Sequence, residues 1–131
     1  MAEITCSVVT PEATVVEATT SFVVMPLYDG EVGVAVGHAP LIARLGQGEL
    51  RFESEGTTHR YYVDGGFVQI ADNMVSVLTD RAMPVSEIDK RAAQGQLESA
   101  ITQRANTPEK MEARDKAINQ ARAQLRVSSR P

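Results

Sequence analysis

Between Gly30 and Gly48 the chain runs Gly-Glu-Val-Gly-Val-Ala-Val-Gly-His-Ala-Pro-Leu-Ile-Ala-Arg-Leu-Gly-Gln-Gly. Glycine recurs too often there for a helix to persist, because each one costs about 1 kcal/mol relative to alanine. The apolar runs it punctuates, Val32 to Val36 and Leu41 to Leu45, are short and rich in branched residues, so they predict strands joined by tight turns. Gly37-His38-Ala39-Pro40 then forms an exposed corner. Pro40 fixes its own φ and pushes Ala39 toward extended geometry, while Gly37 permits angles closed to other residues. A rigid loop on a β scaffold is a good docking point.

The same grammar fills the rest of the first two-thirds. Ile4, Cys6 and Val8 alternate with Thr5 and Ser7, and Thr14 to Thr19 and Ser21 to Met25 are strand-like in composition. Leu50 and Phe52 alternate with Glu49, Arg51 and Glu53, which predicts a half-buried strand with a solvated face carrying those charges. His59 to Asp64 returns the chain, Asp64-Gly65-Gly66 signals a hairpin, and Asp72-Asn73 signals a second turn into Met74 to Leu78. So many short strands predict a sandwich or a barrel, and the pattern does not choose between them.

After Met83-Pro84-Val85 the period changes. Ser86 with Asp89 three residues on resembles a capping box, so a first helix is expected to begin there and end near Arg104. Its apolar positions are Ile88, Ala92, Leu97, Ala100, Ile101 and Ala105. Thr107 as N-cap and Pro108 at the first helical position predict a second helix, whose stripe is Ala117, Ile118, Ala121 and Leu125. An alanine-rich seam removes little apolar area, at about 25 cal/mol per Å², so the helical hairpin is expected to be marginal and able to move.

Charge divides at the same place. Residues 1–84 carry a balance of −7 and residues 85–131 one of +3, which together make the net −4. The basic tail has no aromatics for base stacking, so nucleic acid is not an expected partner. No stretch reaches the roughly 20 apolar residues needed to cross a bilayer, and the start at Met1 lacks a basic, apolar leader, so a soluble, unexported chain is expected. Cys6 is the one cysteine and, alternating with Ile4 and Val8, is read as a packing thiol.

Four phrases carry a family likeness. They are Gly30-Glu31-Val32-Gly33 followed by Gly37-His38-Ala39-Pro40-Leu41 and Gly48; Val63-Asp64-Gly65-Gly66-Phe67-Val68; Val75-Ser76-Val77-Leu78-Thr79-Asp80-Arg81-Ala82; and Ala121-Arg122-Ala123-Gln124-Leu125-Arg126-Val127. In this order, and over nearly the whole chain, they resemble the epsilon subunit of F-type ATP synthases, the small subunit of the rotary central stalk. The resemblance implies a β + α fold: an N-terminal antiparallel β-sandwich over residues 1–84, then a C-terminal antiparallel two-helix hairpin over residues 85–131. It also implies a non-catalytic rotor subunit coupling ion flow to ATP synthesis. The implied partners are the gamma subunit, the c-subunit rotor ring and the alpha and beta subunits of the catalytic head, with no nucleic acid and no direct membrane insertion. The implied location is peripheral, on the cytoplasmic side of the bacterial inner membrane.

Residue roles follow from the same likeness. Glu31 matches a position facing the rotor ring, and His38, with Gly37 and Pro40 around it, matches one lying against gamma. Lys110, Arg114, Lys116, Arg122 and Arg126 are expected to meet an acidic segment of the catalytic beta subunits and brake ATP hydrolysis. Some members of the family bind ATP through an (Ile/Leu)-Asp-x-x-Arg-Ala phrase plus C-terminal arginines. Here the phrase reads Ile88-Asp89-Lys90-Arg91-Ala92-Ala93, with arginine one residue early, which on a helix turns the side chain by about 100°. No cofactor is therefore expected, and ATP is weighed only as a regulatory ligand of Ile88, Asp89, Arg91, Arg122 and Arg126.

Enzyme motifs are missing from the sequence: there is no Gly-x-x-x-x-Gly-Lys phosphate loop and no Gly-x-Ser-x-Gly elbow, so no catalytic residue is expected. The spacing of His38, His59 and Glu31 matches no metal motif, and no metal is expected. A small β-sandwich binding a metal or ligand through those three residues is the alternative, and a free-standing ligand-binding sandwich with a helical dimerisation tail is a third.

Overall fold

The computed structural model describes residues 3–130; Met1, Ala2 and Pro131, which fall inside the expected domain bounds and the expected leaderless start, lie outside the described residues. The chain divides between Val85 and Ser86 into two compact units.

The first unit is a sandwich of two five-stranded sheets. Its strands are β1 (Ile4–Val9), β2 (Thr14–Thr20), β3 (Phe22–Leu27), β4 (Gly30–Ala35), β5 (Leu41–Arg44), β6 (Gln47–Ser54), β7 (Thr57–Asp64), β8 (Phe67–Ala71), β9 (Met74–Leu78) and β10 (Ala82–Pro84). One sheet has the order β2-β1-β9-β8-β5 and the other β10-β7-β6-β3-β4. They are called here the β1 sheet and the β3 sheet. Nearly all neighbours are antiparallel, but β1 and β9 run parallel, Thr5 opposite Met74 through Val9 opposite Leu78. The expected antiparallel sandwich is thus present, with this one parallel pair inside it.

Period-two alternation builds the core. Ile4, Cys6 and Val8 on β1, Val75 and Val77 on β9, and Val68 and Ile70 on β8 meet Val23, Met25, Val34, Leu50 and Val63 of the other sheet. Each wholly buried aliphatic side chain contributes about 1.5–3 kcal/mol. The Cys6 thiol lies within this cluster, and burial pushes its pKa up to about 11, so it stays protonated and unreactive at neutral pH.

Asp64-Gly65-Gly66 does not make the hairpin expected of it. β7 belongs to the β3 sheet and β8 to the β1 sheet, so Gly65 and Gly66, at φ +67° and +99°, carry the chain across the sandwich. The loop from β4 to β5 crosses in the same way, and so does Leu45–Gly46 after β5. Two of these crossings are tied together: Leu45 N donates to Gly66 O at 2.9 Å, and Gly65 N donates to Gly46 O at 3.1 Å.

The second unit is an antiparallel pair, α1 (Lys90–Thr102) and α2 (Pro108–Ser128). Ser86 does not start α1: Val85–Glu87 is a single 3-10 turn, and the cap is Asp89, whose Oδ1 accepts from Ala92 N at 3.0 Å. Of two capping residues three apart, the carboxylate wins, with its negative charge at the helix N-terminus. The inward face also differs from the expected one. Ala93, Leu97 and Ala100 turn inward, whereas Ala92 and Ile101, expected on the seam, are exposed. Thr107 caps α2 as its position predicts, Oγ1 accepting from Lys110 N at 3.2 Å. Gln96 Nε2 donates to Ala117 O and to Gln120 Oε1, both at 3.3 Å, and so joins the two helices.

Candidate docking surface

The β1 sheet has an outer face that strict alternation would make polar. It is not polar. Ile42 on β5, Phe67 on β8, and Met74 and Leu78 on β9 are 73%, 54%, 53% and 58% exposed. Phe67 stands directly opposite Leu78, and Leu78 opposite Val9, so they share a face rather than being scattered. Arg44 is paired with Phe67 across the ladder and lies over the Tyr28 ring, 5.5 Å from its centre, giving this face a cationic rim. None of these side chains was singled out from the sequence. The available signal was adjacent apolar pairs, Phe67-Val68, Met74-Val75 and Val77-Leu78, which mark strands apolar on both faces.

The Gly37–Pro40 corner is exposed except for the half-buried His38. Gly37 sits at φ +82°. His38 N donates to Ala35 O at 3.2 Å, and the His38 ring Nδ1 bonds Ala39 O at 2.7 Å, so the ring is held by its own loop.

Glu31 lies at the other end of β4, a strand about 17 Å long at the usual rise per residue. Glu31 and His38 therefore do not converge. Arg51 Nη1 reaches Glu31 Oε2 at 3.4 Å and Glu49 Oε1 at 3.7 Å, and Arg60 Nη2 reaches Glu49 Oε2 at 2.6 Å. Glu49, expected on a solvated face, is buried and is instead satisfied by these guanidinium groups. His59 stacks on Phe52 with ring centres 5.1 Å apart. The alternative metal site using His38, His59 and Glu31 is thus not assembled, and the described residues contain no cluster of three or more His, Cys, Asp or Glu able to hold a metal ion.

In the second unit the basic residues follow α2. Lys110, Lys116, Arg122 and Arg126 are exposed, while Arg114 is half-buried and lies 3.6 Å from Asp115. The antiparallel course fixed by Gln96 sets the first turn of α1, with exposed Arg91, across from Arg122 and Arg126. Ile88 is half-buried before that turn, and the Asp89 carboxylate is engaged as a cap.

The profile of the family described as ATP synthase, Delta/Epsilon chain, beta-sandwich domain matches residues 3–85. The chain belongs to this family. An ATP synthase epsilon chain of Rhodopirellula baltica is 46% identical over 125 residues, 95% of this chain and 98% of that one. Another, from a Synechococcus species, is 34% identical over 93% of this chain and 89% of its own length. Among solved structures, a chain of the Euglena gracilis mitochondrial ATP synthase matches with a TM-score of 0.83 at 24% identity, covering 94% of this chain and 79% of that one. A chain from the central stalk and c-ring of the Tetrahymena thermophila mitochondrial ATP synthase matches with a TM-score of 0.74 at 16% identity, covering 98% of both. The two structural matches establish the shared fold. As in the likeness drawn from its motifs, the delta/epsilon chain is a β-sandwich followed by two helices, and no helix among its described residues is long and apolar enough to cross a membrane.

Proposed function

We propose that this delta/epsilon-family chain is a non-catalytic subunit of the ATP synthase central stalk, which links the gamma subunit to the rotor ring and so carries torque between ion flow and ATP synthesis. The observation that carries it is the set of exposed apolar side chains Ile42, Phe67, Met74 and Leu78 on one face of a sheet whose other face is already core. A face of that kind fits a permanent protein partner. In this reading gamma covers these side chains together with Gly37, His38 and Pro40. Glu31, at the far end of β4, faces the polar loops of the ring. The subunit has no active site of its own and no resident cofactor or metal. It is peripheral, on the cytoplasmic side of a bacterial inner membrane.

The helical unit acts as the brake. Lys110, Arg114, Lys116, Arg122 and Arg126 would meet an acidic segment on the beta subunits of the head, a contact that weakens as salt rises. A chain ending at Val85 is expected to bind gamma as the full chain does and to raise the ATPase rate of the reconstituted head. Unchanged hydrolysis would remove the brake; loss of gamma binding would move the docking surface off the sandwich.

ATP does not enter this scheme. Ala92, not arginine, occupies the position of the nucleotide-binding phrase, and Asp89 Oδ1 already accepts the Ala92 amide. Calorimetric titration of the full chain with millimolar ATP is expected to give only heat of dilution, and a saturable exotherm would show that the chain binds ATP despite the displaced arginine.

A further inference from the structure

The turn from β8 to β9 is made by Asp72 and Asn73, both at positive φ, +52° and +60°. That is the primed geometry a two-residue hairpin requires, and asparagine tolerates it. Asn73 also bonds to two other parts of the sandwich. Its backbone carbonyl accepts from Thr5 N at 3.0 Å, and its side-chain Oδ1 accepts from Gly37 N at 2.8 Å.

We propose that Asn73 is a positioning residue for gamma docking: its side chain fastens the Gly37–Pro40 corner to the β1 sheet, so that His38 and the exposed apolar side chains present one pre-set surface. The proposal rests on the docking reading given above. Residues 36–40 lie between strands of opposite sheets and take no part in either ladder, and Gly37 at φ +82° imposes little backbone restraint of its own. The His38 ring is held to Ala39, within the same loop, so wherever the loop goes the imidazole follows. The Asn73 bond spans 36 residues and ties that loop to the turn that begins β9, next to exposed Met74. A loop ordered beforehand does not lose its freedom again when a partner binds.

Two substitutions separate this role from that of the turn. Asn73→Gly keeps the positive φ and removes the acceptor, whereas Asn73→Asp keeps both. In the full chain, Asn73→Gly is expected to weaken gamma binding about three- to tenfold, the scale of one hydrogen bond. It should also speed amide exchange at Gly37 while leaving Val75 and Val77 protected. Asn73→Asp is expected to restore both readouts. Equal gamma affinity of wild type and Asn73→Gly overturns the proposal and leaves the docking reading standing, and so does an Asn73→Asp chain as weak as Asn73→Gly. A wild-type chain that does not bind gamma overturns both.

Discussion

Gly66→Ala is expected to cost the sandwich at least about 4 kcal/mol, a large share of the roughly 5–15 kcal/mol that holds a domain of this size together. Gly66 adopts φ +99°, and a Cβ placed there would run into the Leu78 carbonyl oxygen and come within 2.8 Å of Thr79 Cα. Those atoms are backbone at the end of β9 and cannot swing aside. Retreat in the other direction is blocked as well, because Leu45 N donates to Gly66 O and ties this crossing to the neighbouring one. Its neighbour provides the control. Gly65 also has a positive φ, +67°, but a Cβ there meets nothing within 4 Å, so Gly65→Ala should cost only the conformational penalty of about 1–2 kcal/mol. Thermal melts followed by circular dichroism should show a drop of more than about 15 °C for Gly66→Ala and of about 5 °C for Gly65→Ala. Equal drops would mean that crowding against β9 is not what demands glycine.

The second large effect is on binding, not folding. Leu78→Glu places a carboxylate among the exposed apolar side chains at the end of β9, opposite Phe67 on one side and Val9 on the other. Because Leu78 is already 58% exposed, the isolated protein should lose no more than about 1 kcal/mol of stability. Against gamma the carboxylate would be desolvated with Arg44 two strands away and over the Tyr28 ring, and the loss of an anchoring side chain at an interface is worth about 2–4 kcal/mol before that penalty is added. Affinity for gamma, measured by calorimetry, should therefore fall by at least about 100-fold while the melting temperature barely moves. An unchanged affinity would show that gamma binds elsewhere.

The strands of the first unit were legible because alternation and turn chemistry are local. Ile4, Cys6 and Val8 go inward, and Asp72-Asn73 turns the chain between two strands of one sheet, as their types imply. The partnership of strands was less legible. Asp64-Gly65-Gly66 has the composition of a hairpin, and nothing within three residues says whether the next strand returns beside the last or departs to the other sheet. Glu49 was misplaced for a related reason: alternation assigns it to the polar face correctly, but its burial depends on Arg51 beside it and Arg60 on the next strand. Helix starts compete over short distances, and Ser86 lost to Asp89. The apolar side chains are not legible as one surface because Ile42 on β5 meets the β8–β9 hairpin only in the sheet, far from it along the chain.

The parallel pairing of Ile4–Val9 with Met74–Leu78 sets a schedule for synthesis. Strand β1 pairs early with β2, but its other edge waits for a partner roughly seventy residues away, which at about 5–20 residues per second is an interval of roughly 4–14 s. Until then the edge of β1 that will meet β9 is open to any extended segment nearby, including another nascent copy. A transcript that stops short of Leu78 should therefore yield aggregate or protease fragments instead of a smaller folded protein, while the helical unit, translated after β9, plays no part in that closure.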